Sequence, residues 1–315
     1  MAVISQREAF GLALRDYGAQ AEEIVVLDAD TSCSTMSSYF AEAFPERFIN
    51  VGIAEPCLVD VAVGMALGGF TPFVNAFSAL LSLRALEQIR TCVAYANTNV
   101  KLAASYAGLS DYKDGPTHHS IMDIGIMRMM PGMTVIVPAD EAEIKAWVPV
   151  IADHQGPVFL RLSRTGTKPV HAAPPKVEIG KGFRLKHGSD VSIFGAGMMV
   201  HRCLQAADAL AQAGIDAAVI NLPCIKPIDE ALILETAAET GAIVTAEEHS
   251  ILGGLGGAVA EVLGSQCPTP LERVGIRDAF AKTGPDPETL MDACGLSVQD
   301  ITQACQAVIQ RKSKD

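Results

Sequence analysis

Apolar positions along the chain fall into short continuous runs separated by helical stripes. Ile24–Leu27, inside EIVVLDAD, is such a run, and others lie at 47–51, 71–75, 100–105, 134–137 and 158–162. Continuous runs of this length predict strands of a parallel sheet buried on both faces. Residues 5–17 carry Ala9, Leu12, Ala13 and Tyr17 at helical spacing, and further helical signals cover 54–67, 78–95, 120–130 and 140–152. Strands alternating with helices predict a doubly wound α/β sheet, and such sheets bind ligands at the carboxyl ends of their strands. The turns Asp28–Ser34 and Gly108–His119 occupy that position.

The pattern weakens over 165–190, TGTKPVHAAPPKVEIGKGFRLKHGSD, which is rich in Pro, Gly and Lys and reads as a linker with a short extended piece at the start of the next domain. A second α/β domain follows, with strands at 191–195, 216–221, 242–246 and 271–274, and helices at 199–213, 229–240 and 255–264. Residues 286–310 read as a closing helical segment. The expected organisation is a first domain over 1–165, a linker over 166–190 and a second domain over 191–315.

The stretch RFINVGIAEPCLVDVAVGMALGG (47–69) is central. Its strand turns at Gly52 into a segment apolar on every side, which predicts a helix buried all round. Pro56 fits the first turn and Gly68-Gly69 stops the helix. Glu55 stands at the mouth of this helix, where a buried carboxylate needs a partner. The ordinary alternative is an acid favoured by the helix dipole.

A length of 315 residues accommodates two domains of roughly 150 residues. The net charge of −12 argues against a nucleic-acid surface or an anionic membrane patch, so any anion site must be local. No charge occurs between Asp60 and Arg84, but Gly68, Gly69, Pro72, Asn75 and Ser78 interrupt this run, which argues against a membrane span. The eight cysteines are scattered without a C-x-x-C pair and read as buried free thiols in a reducing compartment. The N-terminal MAVISQREAFG has no signal-peptide core, so a cytoplasmic protein is expected.

GAGMMV (195–200) lacks the third glycine of a dinucleotide fingerprint and reads as a tight turn. GGLGG (253–257) precedes a helix, where N–H groups can meet an anion or where close packing demands glycine. DGPTHH (114–119) sets two histidines on a loop at a strand end, and the lack of a third ligand at matched spacing weakens a metal reading.

NVGIAE (50–55), NAF (75–77), RALEQIR (84–90), DGPTHH (114–119), MPGMTVIVPAD (130–140), LRLSR (160–164) and TAEEHSILGGLGGAVAEVL (245–263), in this order, resemble the transketolase family. The likeness covers essentially the whole chain and is to the C-terminal subunit of two-chain bacterial transketolases. It implies a pyrimidine-binding thiamine-diphosphate fold followed by a transketolase C-terminal-like domain. It gives Glu55 a catalytic and cofactor-binding role, hydrogen bonding N1′ of the aminopyrimidine from a dry pocket so that the 4′ nitrogen takes the thiazolium proton. Phe77 corresponds to the aromatic residue packed on that ring. Asp114 and His118 correspond to sugar contacts near the ketol end, His118 also having a catalytic place, and Arg7, Ser34 and Arg164 correspond to positions holding a sugar-phosphate tail. Asp30 is expected to reach a substrate hydroxyl.

Tyr106 replaces a frequent family His, His119 replaces a frequent Gln, and Leu80 and Leu83 stand where aromatic residues are common. The donor sugar is therefore not fixed by the resemblance. No GDG motif occurs in the chain, so the diphosphate and its Mg²⁺ or Ca²⁺ are expected on an N-terminal partner subunit, in an α2β2 assembly. The competing readings are the β subunit of a 2-oxo-acid dehydrogenase, a 1-deoxyxylulose-phosphate synthase-like subunit, and a non-catalytic scaffold that kept the fold.

Overall fold

The computed structural model describes residues 4–171 and 173–312. Residues 1–3, 172 and 313–315, which fall in the expected first domain, linker and second domain, lie outside the described residues. The first sheet contains β1 (Ile24–Asp28), β2 (Phe48–Asn50), β3 (Thr71–Phe77), β4 (Lys101–Ser105), β5 (Thr134–Ile136) and β6 (Val158–Arg161). The second contains β7 (Phe183–Lys186), β8 (Val191–Gly195), β9 (Ala217–Asn221), β11 (Ile243–Ser250) and β12 (Leu271–Ile276). Between β9 and β11 the chain forms β10 (Cys224–Lys226), which crosses back to the first sheet.

The strand orders are β10-β5-β6-β4-β3-β1-β2 and β12-β11-β8-β9-β7. Only β10 on β5 and β7 on β9 pair antiparallel; all other neighbours are parallel. The expected α/β class is thus found, as two mixed, mostly parallel sheets. β7 is the short extended piece expected at the start of the second domain, and it joins the second sheet. β10 was not legible: it has three residues between Pro223 and Pro227, too few for a periodic signal.

The helix Glu55–Leu67 departs from the expectation of burial on every side. Its buried residues are Glu55, Leu58, Val59 and Ala62, a single stripe. The opposite flank is uncovered, with Leu67 at 78 % exposure and Cys57 also exposed. Apolar composition here marks a surface that this chain alone does not cover. Ile53, Leu83 and Tyr95, on segments before and beside the helix, are exposed too. The thiols also differ from expectation: Cys203, Cys224 and Cys305 are buried, but Cys33 and Cys57 are exposed.

The segment Glu247-Glu248-His249 joins the two sheets. Glu247 accepts the Leu255 and Gly256 amides at 2.7 and 2.8 Å, so the anion met by GGLGG is the protein's own carboxylate. Glu248 accepts the Leu109 amide at 2.8 Å, and a Cβ on Gly108 would collide with its carboxylate. His249 Nε2 accepts the Gly125 amide at 3.2 Å. Arg161, at the end of β6, donates to Asp123 at 2.8 Å and to the Ser120 and Glu248 carbonyls at 3.1 and 3.0 Å. Burial pushes Asp123 up, but the Arg161 guanidinium, His249 and the Ser78 hydroxyl outweigh it and hold the carboxyl below its usual range.

Burial raises Glu248 to about 7, opposed by Arg161 and the Leu109 amide. The native state therefore holds a proton that the unfolded chain releases near 4.5, and stability falls as pH rises between those values. Glu248→Gln is expected to remove this slope, worth about 3 kcal/mol across the window. Urea midpoints measured from pH 4.5 to 8 check it; identical slopes in both proteins would refute it.

Candidate active site

The expected site residues lie beyond the carboxyl ends of β1, β2, β3, β4 and β6 or on the helices that follow, with Arg7 at the start of the helix Gln6–Gly18 beside them. Gln6, buried at the N-terminus of that helix, fixes its approach. Its amide donates to the Pro138 and Ala139 carbonyls at 3.0 and 3.2 Å and accepts the Ser163 amide at 2.8 Å. The turn after β1 is organised by buried Asp28, which accepts from the Thr31 amide and from the Thr31, Thr35 and Ser37 hydroxyls. The short helix Ser32–Thr35 is thereby locked in place.

Tyr106 is the hub. Its φ of 60° is a left-handed conformation that a bulky residue adopts only under strain, the kind of cost that collects at functional sites. Its ring stacks on Phe77, with centroids 4.1 Å apart. The guanidinium carbons of Arg7 and Arg164 lie 5.2 and 5.1 Å from its centre. Arg7 also donates to the Tyr106 hydroxyl at 2.7 Å and to the Ser34 carbonyl at 2.5 Å. Ser34 thus meets Arg7 through its backbone, not its hydroxyl.

The edge of His118 faces Phe77 at 6.2 Å, and its Nδ1 lies 3.0 Å from the Thr117 hydroxyl. Arg164 donates to Asp111 at 2.8 Å. Burial raises Asp111, reinforced by the nearby Asp114 carboxylate and opposed by Arg164. Asp111 was not singled out in the sequence, although it lies three residues before Asp114 in the same loop. The structure therefore brings together Arg7, Ser34, Phe77, Tyr106, His118 and Arg164, with Asp114 and His119 on the adjoining loop.

Two expected residues stand apart from this contact chain. Asp30, also at positive φ, exchanges hydrogen bonds of 3.1 Å with Asn50. Glu55 is 1 % exposed, and both its oxygens accept from Arg84 Nη1 at 3.0 Å. Arg84, the first residue of RALEQIR, carries no signal of this role in the sequence; it answers the need for a partner to a buried carboxylate. Among the described residues no group of three or more His, Cys, Asp or Glu could hold a metal ion. No helix among them is long and apolar enough to cross a membrane.

Residues 2–169 match the transketolase pyrimidine-binding domain and residues 180–301 match the transketolase C-terminal domain. The chain belongs to the transketolase family. It is 41 % identical over 307 residues to the 6-deoxy-6-sulfo-D-fructose transketolase subunit SqwH of a Clostridium species, covering 98 % of this chain and 95 % of the relative. A putative transketolase C-terminal section of Methanocaldococcus jannaschii is 42 % identical over 287 residues, covering 90 % of each. A solved structure described as a split gene transketolase, inactive beta4 tetramer, superposes with a TM-score of 0.92 at 45 % identity, covering 98 % of this chain and 99 % of that one. Against 1-deoxy-D-xylulose-5-phosphate synthase 1 of Geobacter sulfurreducens, at 38 % identity, this transketolase-family chain spans 48 % of the relative.

His119 is buried, and neither ring nitrogen has a hydrogen-bond partner within 3.5 Å among the described residues. Burial lowers its pKa, opposed by the Asp111 backbone nearby. Below about 6.5 the unfolded chain takes up a proton that native His119 resists, so stability drops as pH falls. His119→Met is expected to lessen the loss between pH 7 and 5 in urea titrations. An unchanged acid limb would count against it.

Proposed function

We propose that this chain is the C-terminal subunit of a two-chain, thiamine-diphosphate-dependent transketolase that moves a two-carbon ketol unit from an anionic ketose to an aldehyde. The carrying observation is that one buried carboxylate, Glu55, and a separate aromatic and arginine wall both lie at the strand-end edge of the first sheet. Near-complete coverage of separate transketolase subunits, against about half of a single-chain relative, supports a split enzyme. The uncovered apolar flank around Leu67 and Tyr95 supports a partner subunit.

The chain's residues fit the aminopyrimidine half of the cofactor: a dry carboxylate and a half-exposed aromatic ring, Phe77. When bound, thiamine diphosphate supplies the carbanion sink. Glu55 would hold the ring nitrogen N1′, and Arg84, which bonds both Glu55 oxygens, would have to release one of them. Phe77 orients the ring. Arg7 and Arg164 attract the anionic tail, Asp30, Asp114 and His118 contact sugar hydroxyls, and Tyr106 and His119 shape the donor pocket. The diphosphate and Mg²⁺ or Ca²⁺ belong to the N-terminal partner, in an α2β2 assembly.

One observation favours a sulfonated over a phosphorylated donor. Asp111 already bonds Arg164, leaving the pair of arginines closer to one net positive charge, which suits a monoanion. The test mixes this chain with its N-terminal partner, thiamine diphosphate and Mg²⁺, and offers a ketose phosphate, 6-deoxy-6-sulfofructose, a free ketose and pyruvate. Turnover of an anionic ketose only in the mixture is expected. Arg164→Ala should raise KM for that donor about 10- to 100-fold, the value of a charge-assisted hydrogen bond, and spare the free ketose. Decarboxylation of pyruvate with no ketose turnover would refute the reading.

A further inference from the structure

The second sheet carries a cavity of about 850 Å³, well away from Glu55, between β12, the segment 277–286 and the closing helices Pro287–Ala293 and Val298–Lys312. That volume is in the range of sites for small organic ligands. Its walls mix apolar side chains, among them Val274, Ile276 and Leu290, with charged ones, and Phe280 on its lining is 71 % exposed, a ring left in water. Its charges are lopsided. The two carboxylates of the lining are already engaged, Glu272 by Arg311 at 2.6 Å and Asp300 by Ser297 at 2.5 Å. Arg277 and Lys282, also on the lining, make no ion pair or hydrogen bond among the described residues. In a chain of net charge −12, a cavity with an apolar part and two uncommitted cations at its wall suits an organic anion with an apolar body.

The same wall touches the catalytic loop from behind. The Gly284 amide donates to the Tyr112 carbonyl at 3.0 Å. A Cβ on Gly115 would lie 2.8 Å from Thr283 Cγ2, so the two segments are in close contact. Tyr112 in turn faces the Arg164 guanidinium at 5.7 Å. A ligand held against 277–286 therefore bears on a segment in direct contact with the backbone that carries Asp111, Asp114 and His118. We propose that this cavity is a binding site for an apolar organic anion, whose occupancy sets the order of the loop 108–119. The site is independent of the assigned reaction, since it lies entirely within this chain and needs neither cofactor nor partner.

The experiment uses the full-length chain, with 8-anilinonaphthalene-1-sulfonate as the probe. Fluorescence titration should show one saturable site that Arg277→Ala/Lys282→Ala weakens at least tenfold and Ala307→Trp, which fills the exposed mouth, abolishes. Hydrogen exchange of residues 108–116 should slow when the probe is bound to the wild-type chain and stay unchanged in the double variant. Equal probe affinity in all three proteins would place the probe elsewhere, on the apolar flank near Leu67, and overturn the site. Binding that leaves exchange of 108–116 unaltered would overturn the coupling. Arg277 and Lys282 are exposed, so their removal leaves the fold intact.

Discussion

The buried Arg161 guanidinium is the constraint on which the active edge depends. It stands at the end of β6, pairs with Asp123 and reaches the Ser120 and Glu248 carbonyls. Through Asp123 it reaches Ser78, next to Phe77. Through Ser120 it fixes the end of the loop that carries His118 and His119. Three residues beyond the end of that strand is Arg164. A buried ion pair gains little net stability over apolar packing, but breaking one side of it costs about 3–5 kcal/mol. Its role here is therefore better seen as registry: it fixes five segments from both sheets in one arrangement.

On that frame the site carries visible tension. Tyr106 is held at positive φ and pressed between two cations and Phe77, while Arg7 and Arg164 already have internal partners. Glu55 likewise has Arg84 on both oxygens. These contacts give the charges of Glu55, Arg7 and Arg164 partners within this chain, and the proposed function requires them to give way when cofactor and sugar bind. Such pre-formed but occupied polar sites are what a half-site shared between chains needs, because each half must remain soluble and folded before it meets the other.

Much of this was legible in the sequence. The strands of the first sheet appear within a residue or two of their expected positions because buried parallel strands read as continuous apolar runs. The helices Glu141–Asp153 and Glu230–Thr240 start at Asp140 and Asp229, acids that cap them as their chemistry suggests. The contacts that depend on distant segments were not legible. Asp111 meets Arg164 across 53 residues, Glu248 meets Leu109 across 139, and β10 leaves its own sheet for another. The apolar helix after Glu55 misled for a physical reason: apolar composition reports a surface that avoids water, not which element covers it.

The central claim is that Glu55 of this chain activates a cofactor held largely by another. Glu55→Gln is nearly isosteric, so it tests the charge without emptying the space. Measured in the assembled complex, ketol transfer should fall at least a hundredfold while the thermal midpoint of the variant chain stays close to wild type. Undiminished turnover with Gln at this position would contradict the account.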